Sequence, residues 1–296
     1  MQNRWNQAQA DACQDDLDLR VYSSRLLGAD PSLVLHGGGN TSVKITEKNI
    51  FGEDEDILYV KGSGWDLASI ERPGYTPIRL QHLIKLSQLE VLSDIDMVNE
   101  MKTHQTIASS PTGSVEAILH AVLPYRFVDH THADAIVTLC NTPSGEARIR
   151  QIFGDSVVII PYVMPGFDLA KLVAREFPKQ ANENTIGMVL MNHGVFSFAD
   201  TAKVSYDNMI ALVQKAEDDL KQNNAWEIDE IPFDSQPEYS IEGFANLRKQ
   251  ISDVAGQPML VGMRNNDLSL GFARRPDVGD VATRGPATPD HVKPQA

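Results

Sequence analysis

Two histidines, His130 and His132, stand one threonine apart in FVDHTHADAIVTLC, at the end of an apolar run. Residues i and i+2 of a strand point to the same side, so the pair would present two imidazoles to one point in space. A third histidine, His193 in MNHG, sits where another apolar run meets a glycine turn. Imidazole is the commonest side-chain ligand for metals. Three of them leave a position for water or substrate, the pattern of a catalytic rather than a structural zinc. The plainer alternative is a chance His-x-His with His193 satisfied in its turn. Glu116, in SPTGSVEAILH, adds a carboxylate that could ligate a metal or serve as a base beside one. Its ordinary role would be to favour the first turn of a helix capped by Ser114. His120 follows on the same helix face, but Leu119 and Leu123 mark that side as packed, so it ranks lower as a ligand.

Two glycine-rich stretches, HGGGNTS (His36 to Ser42) and KGSGWDL (Lys61 to Leu67), each follow an apolar run. Both offer free backbone N–H groups and hydroxyls suited to a phosphate or carboxylate. Neither has the spacing of a dinucleotide fingerprint or a Walker loop.

The elements that must carry these groups follow from periodicity. A first helix is expected from about Asn6 to Leu27, ending at Gly28, and extended segments at SLVLHGGGNTSVKI and DILYVKGSG. Helical patterns resume at Leu80 to Val91 and at SVEAILHAVL, and RFVDHTH reads as a strand. VVIIPYV and IGMVLMNHG are short buried strands, with VFSFA a hairpin partner to the second. Asp200 or Thr201 caps the long helix TAKVSYDNMIALVQKAEDDLKQNN. A further helical pattern, IEGFANLRKQISDVAG, precedes a proline-containing tail. We therefore expect a main domain over residues 1–224 and a C-terminal helical extension and tail over 225–296. Helices alternate with strands, which gives an α/β class, and the irregular strand spacing argues against a doubly wound parallel sheet.

Composition agrees with a globular chain. Among 296 residues, 42% are apolar and 22% charged, and no apolar run approaches the roughly 20 residues of a bilayer crossing. The N-terminus lacks the basic start and apolar stretch of a secretory signal, so a cytoplasmic location is expected. Cys13 and Cys140 are too few for a disulfide framework. A formal net charge of −14 argues against a nucleic-acid surface, and EDED (Glu53 to Asp56) reads as a solvated loop.

Taken in order, GGGNTS, KGSG, SVEAILH, HTHAD and MNHG resemble the class II aldolase/adducin family over roughly Asp15 to Lys221. Within it, the chain resembles the aldolase half of bifunctional rhamnulose-1-phosphate aldolase and short-chain dehydrogenase proteins, also through ARRPDVGDVATRGPATPDH. No dinucleotide fingerprint of a dehydrogenase half is present in this sequence. The resemblance implies a three-layer α/β/α sandwich with a mixed, mostly antiparallel central sheet. It implies a zinc or other divalent transition metal held by Glu116, His130, His132 and His193. Phosphate contacts would come from Gly39, Asn40, Ser63, Gly64 and Ser114. Val115 replaces a second serine of the fuculose-phosphate enzymes, which bears on the substrate more than on the reaction. Tyr162, supplied by a neighbouring subunit of a homo-oligomer, a tetramer by the same resemblance, would protonate the aldehyde oxygen.

The implied reaction cleaves a ketose 1-phosphate between C3 and C4 to dihydroxyacetone phosphate and a lactaldehyde- or glycolaldehyde-like fragment. Glu116 would act as general base and acid. Sugar-phosphate epimerases and dehydratases use the same metal site, and an adducin-like interaction module without catalysis is the remaining reading.

Overall fold

The structure, a computed structural model, describes residues 1–227, 240–262 and 266–292. The chain divides into two compact units, Met1–Trp226 with Pro286–Ala296, and Glu227–Gly285.

In the first unit, β1 (Asn40–Lys48), β2 (Asp54–Lys61), β3 (Tyr75–Arg79), β4 (Phe127–Thr131), β5 (Val157–Ile160), β6 (Gly187–Leu190) and β7 (Gly194–Ala199) form one sheet. Its order is β3-β2-β1-β4-β7-β6-β5. Every pairing is antiparallel except β5 with β6. The helices are α1 (Gln7–Asp11), α2 (Asp16–Gly28), α3 (Leu80–Leu86), α4 (Asp94–Thr103), α5 (Ala117–Val122), α6 (Asp134–Cys140), α7 (Gly145–Phe153), α8 (Phe167–Gln180) and α9 (Ala202–Gln222).

Alternation along the strands builds two cores. Leu58, Val60, Val128, Val158, Ile160, Met188, Phe196 and Phe198 pack with α3, α4, α5 and α8. Their neighbours Val157, Ile159, Val189 and Val195 pack with α6, α7 and α9, while Val43, Ile57, Tyr59 and Phe127 pack with α2. Both faces of the sheet are thus covered by helices, the three-layer arrangement with a mixed, mostly antiparallel sheet.

The local reading needs correction in several places. The expected helix from Asn6 to Leu27 is two helices, because the Asp15 carboxylate accepts from the Asp18 N–H and starts α2 afresh. The extended run expected from Ser32 begins only at Asn40. The Asp30 carboxylate accepts from the Ser32 amide and hydroxyl and holds the preceding residues in turns. The helix expected to reach Val91 stops at Leu86. Glu116 is the residue that caps α5 rather than a member of its first turn, and Ser114 Oγ accepts from the Glu116 N–H at 3.2 Å. The long helix starts at the Thr201 cap, as its sequence suggests.

The second unit contains α10 (Ile241–Ala255), α11 (Asp267–Ala273) and α12 (Val278–Ala282). Ser240 caps α10 and Gly256 ends it in the left-handed conformation. None of the residues of these three helices is buried.

Candidate metal centre

His130 lies on β4, in register with Asn40 of β1 and Phe196 of β7, and its ring stacks on Phe196 at 4.1 Å and 16°. Its Nδ1 stands 3.1 Å from the Val195 carbonyl oxygen. A carbonyl only accepts, so the neutral ring carries its proton there and keeps the Nε2 lone pair. Burial, then the nearby His132 and His193, hold its pKa well below the usual imidazole value.

His132 falls just past the end of β4, yet the two rings converge, Nε2 to Nε2, at 3.1 Å. Its Nδ1 is 2.6 Å from Asp290 Oδ2. His193 comes from the turn between β6 and β7, where Asn192 takes a positive φ of 57°. Gly194 is required at that turn: a Cβ there would lie 2.4 Å from the Thr131 carbonyl oxygen and 3.1 Å from both His130 and His132. Burial lowers the pKa of His193, against the opposing pull of Glu116.

The ligand atoms of His130, His132 and His193 lie within 4.8 Å of one another. Glu116 completes the group. Its Oε2 is 3.5 Å from His130 Nε2 and its Oε1 is 3.6 Å from His193 Nε2. Asn40 Nδ2 donates to Oε2 at 2.6 Å, whereas Oε1 is buried with no hydrogen-bond donor among the described residues. Facing lone pairs beside a carboxylate oxygen that lacks a donor suit a cation between them. Three imidazole nitrogens and a carboxylate suit a borderline divalent transition ion.

His120 is not in this group. It is fully buried, accepts from Ser42 Oγ at Nδ1 (2.8 Å), and donates from Nε2 to Asn40 Oδ1. Asn40 is therefore clamped between His120 and Glu116, a use its position in a glycine-rich loop did not suggest. The remaining phosphate candidates come together by loop contacts. Gly62 bridges Gly113, Ser63 N–H donates to the Thr112 carbonyl, and Ser114 N–H donates to the Lys61 carbonyl. Lys61 Nζ donates to the Gly37 carbonyl at 3.0 Å and so ties the loop carrying Gly39 to the loop carrying Ser63 and Gly64. Ser63 and Gly64 are exposed and Val115 is 46% exposed beside Ser114. Tyr162 is not on a buried strand: β5 ends at Ile160, and the tyrosine is 52% exposed with its hydroxyl 3.9 Å from Met164 Sδ.

A second group, His82, Glu100 and His104, also brings ligand atoms together. Its two rings stack at 3.2 Å and 6°, so their in-plane lone pairs run parallel and do not converge. The 2.8 Å contact of His82 Nε2 with Glu100 Oε2 is a tie between α3 and α4. A cavity of about 1000 Å³, lined by Lys44, Leu80, Tyr125 and Phe177, contains none of the histidines of the centre. The converging donor atoms, not cavity size, locate the chemistry.

Residues 20–219 match the class II aldolase and adducin N-terminal domain, and residues 239–293 match the second domain of class II aldolases. The uncharacterised oxidoreductase YuxG of Bacillus subtilis (strain 168) is 31% identical over 296 residues, 97% of this chain. The chain spans only 42% of that relative's length. The N-terminal class II aldolase domain of a conserved protein from Thermoplasma acidophilum is 43% identical, with a TM-score of 0.68 over 74% of this chain and 99% of that one. A sugar-phosphate aldolase from Thermotoga maritima shares the fold at 14% identity, with a TM-score of 0.51 over 70% of this chain and 94% of that one. On the extent of these matches, the chain belongs to the class II aldolase and adducin family.

Proposed function

We propose that this chain is a zinc-dependent class II aldolase that cleaves a ketose 1-phosphate of the rhamnulose 1-phosphate kind to dihydroxyacetone phosphate and an aldehyde. The observation that carries this reading is the Glu116 carboxylate, buried between two imidazoles with one oxygen held by Asn40 and the other without a donor. A divalent ion held by His130, His132, His193 and Glu116 would stabilise the negative charge that develops on the ketose oxygens as C3–C4 breaks.

The protein's own groups do the rest. As the bond breaks, its electron pair stays on C3 and the proton of the C4 hydroxyl must leave for a carbonyl to form. Tyr162 of a neighbouring subunit relays that proton, its phenol giving up its own as it receives the hydroxyl's, and Glu116 in its protonated form gives one to C3, so that one proton leaves the C4 oxygen and one arrives at C3. Asn40 keeps Glu116 Oε2 engaged, so that Oε1 is the oxygen free to move the proton. Gly39 and Gly64 bind the phosphate through backbone N–H groups, and Ser63 and Ser114 through their hydroxyls, since their own N–H groups donate to the Thr112 and Lys61 carbonyls. We assign the reacting groups to residues 1–224, treat 225–296 as a C-terminal extension whose end, Pro286–Ala296, belongs to the first compact unit, and take the working form to be a homotetramer.

Incubation with a panel of ketose 1-phosphates and analysis of products tests the reaction. Dihydroxyacetone phosphate is the expected product; an epimeric pentulose phosphate or a dehydrated sugar phosphate in its place would overturn the aldolase assignment. Glu116→Gln preserves size, removes the basic carboxylate, and should lower turnover by roughly 100-fold or more. Exchange of the C3 proton of dihydroxyacetone phosphate with solvent isolates the proton-transfer step. Wild-type exchange in a Glu116→Gln protein that still binds zinc would refute the role given to the carboxylate.

A further inference from the structure

Two of the three histidines of the centre have a defined partner on the ring nitrogen that faces away from it. For His130 this is the Val195 carbonyl of the adjoining strand, an anchor supplied by the sheet itself. His132 lies beyond the end of β4 and has no such ladder contact. Its partner is the carboxylate of Asp290, 158 residues further along, at 2.6 Å. Asp290 belongs to a short 3-10 turn, Pro289–Val292, within the first compact unit. It is 1% exposed and the preceding Thr288 is 5% exposed, so the segment is packed in rather than trailing in solvent. Thr288 Oγ1 lies 2.9 Å from His291 Nδ1 and closes the turn locally.

The glycine-rich loop makes room for this carboxylate. A Cβ on Gly38 would lie 1.9 Å from Asp290 Oδ2 and 2.2 Å from its Cγ. Gly38 has no φ in the left-handed range, so the conformation of its backbone does not call for glycine; the space taken by Asp290 does.

We infer that Asp290 is a positioning residue of the metal centre: it accepts the Nδ1 proton of His132, fixes the tautomer and the ring, and so completes from the C-terminal segment a site otherwise built by residues 116–193. A metal-bound imidazole is oriented and made a better donor by a carboxylate on its other nitrogen. The segment 286–292 thereby becomes part of the active unit, although it lies outside the residues that match the family's N-terminal domain.

This inference rests on the reading of the three histidines as a metal centre, and its test separates the two. Zinc affinity of the full-length chain is measured by competition with a chromophoric chelator, with thermal unfolding of the metal-free proteins as the control for folding. Wild type should bind about one zinc per chain. Asp290→Ala should bind it roughly 10- to 100-fold more weakly while the metal-free protein melts with the wild type. Asp290→Asn, which keeps an acceptor oxygen but not the charge, should recover part of the loss. Gly38→Ala should weaken zinc binding without touching a histidine, and the Gly38→Ala, Asp290→Ala double variant should be no weaker than Asp290→Ala alone. Wild-type affinity in Asp290→Ala, with zinc bound by the wild type, overturns the role of Asp290 and leaves the centre standing. Additive losses in the double variant overturn the link through Gly38. Absence of zinc binding by the wild type overturns both the centre and this inference.

Discussion

His120 shows how a polar residue can be buried without being a ligand. Burial lowers its pKa to about 3, outweighing the opposite effect of Glu116. The unfolded ring takes a proton below its ordinary value near 6.5, whereas the folded ring does not until about 3. Between these values the unfolded state binds more protons. The stability linked to His120 is therefore complete above about pH 6.5 and is lost as pH falls toward 3, at up to about 1.4 kcal/mol per pH unit. Denaturant unfolding of metal-free protein between pH 4 and 7 should show a slope shallower by about one proton in His120→Leu. An unchanged slope would mean that His120 is not held neutral by the fold. The same replacement frees Asn40 Oδ1, so turnover should fall through Glu116 even where metal is retained.

Between elements, the strand that carries the histidines is fixed by a charge pair on its opposite face. Asp129 alternates with Val128 and His130 and points toward α2 and α9. There its Oδ1 lies 2.5 Å from an Arg20 guanidinium nitrogen, and Ser205 Oγ donates to its Oδ2 at 2.5 Å. Arg20 and Asp129 are both fully buried. Removing one member of such a pair strands the other charge, at a cost of about 3–5 kcal/mol. We expect Asp129→Asn and Arg20→Met each to destabilise the chain by that order in urea unfolding, and the double variant to cost less than their sum. A loss below about 1 kcal/mol for both single variants would show that the pair does not secure β4 against α2.

At the scale of the whole molecule, the chemistry proposed for one chain is incomplete without a second. Tyr162 is exposed, and its hydroxyl meets only the sulfur of Met164 among the described residues. If it serves the centre of a neighbouring subunit, Tyr162→Phe should lower turnover by roughly 100-fold and leave zinc content unchanged. Light scattering should report a tetramer. A fully active monomer would remove both the assembly and the tyrosine from the mechanism. Among the described residues no helix is long and apolar enough to cross a membrane.

The three histidines that the structure brings together were legible in the sequence because their signals are local. His-x-His at the end of an apolar run, the glycine after His193 and the short apolar runs of β5 and β6 are each visible over a few residues, although His132 falls just past the end of β4. The alternation of helical with extended segments gave the α/β class. Element ends were read less well, since a side chain such as Asp15 can restart a helix within a continuous helical pattern. What only the tertiary structure decided is which polar groups meet across long separations: Asn40 with Glu116 over 76 residues, Asn40 with His120 over 80, and His132 with Asp290 over 158. No periodicity encodes these pairs, because they arise where loops from separate strands reach one end of the sheet and each buried polar atom must find a partner there.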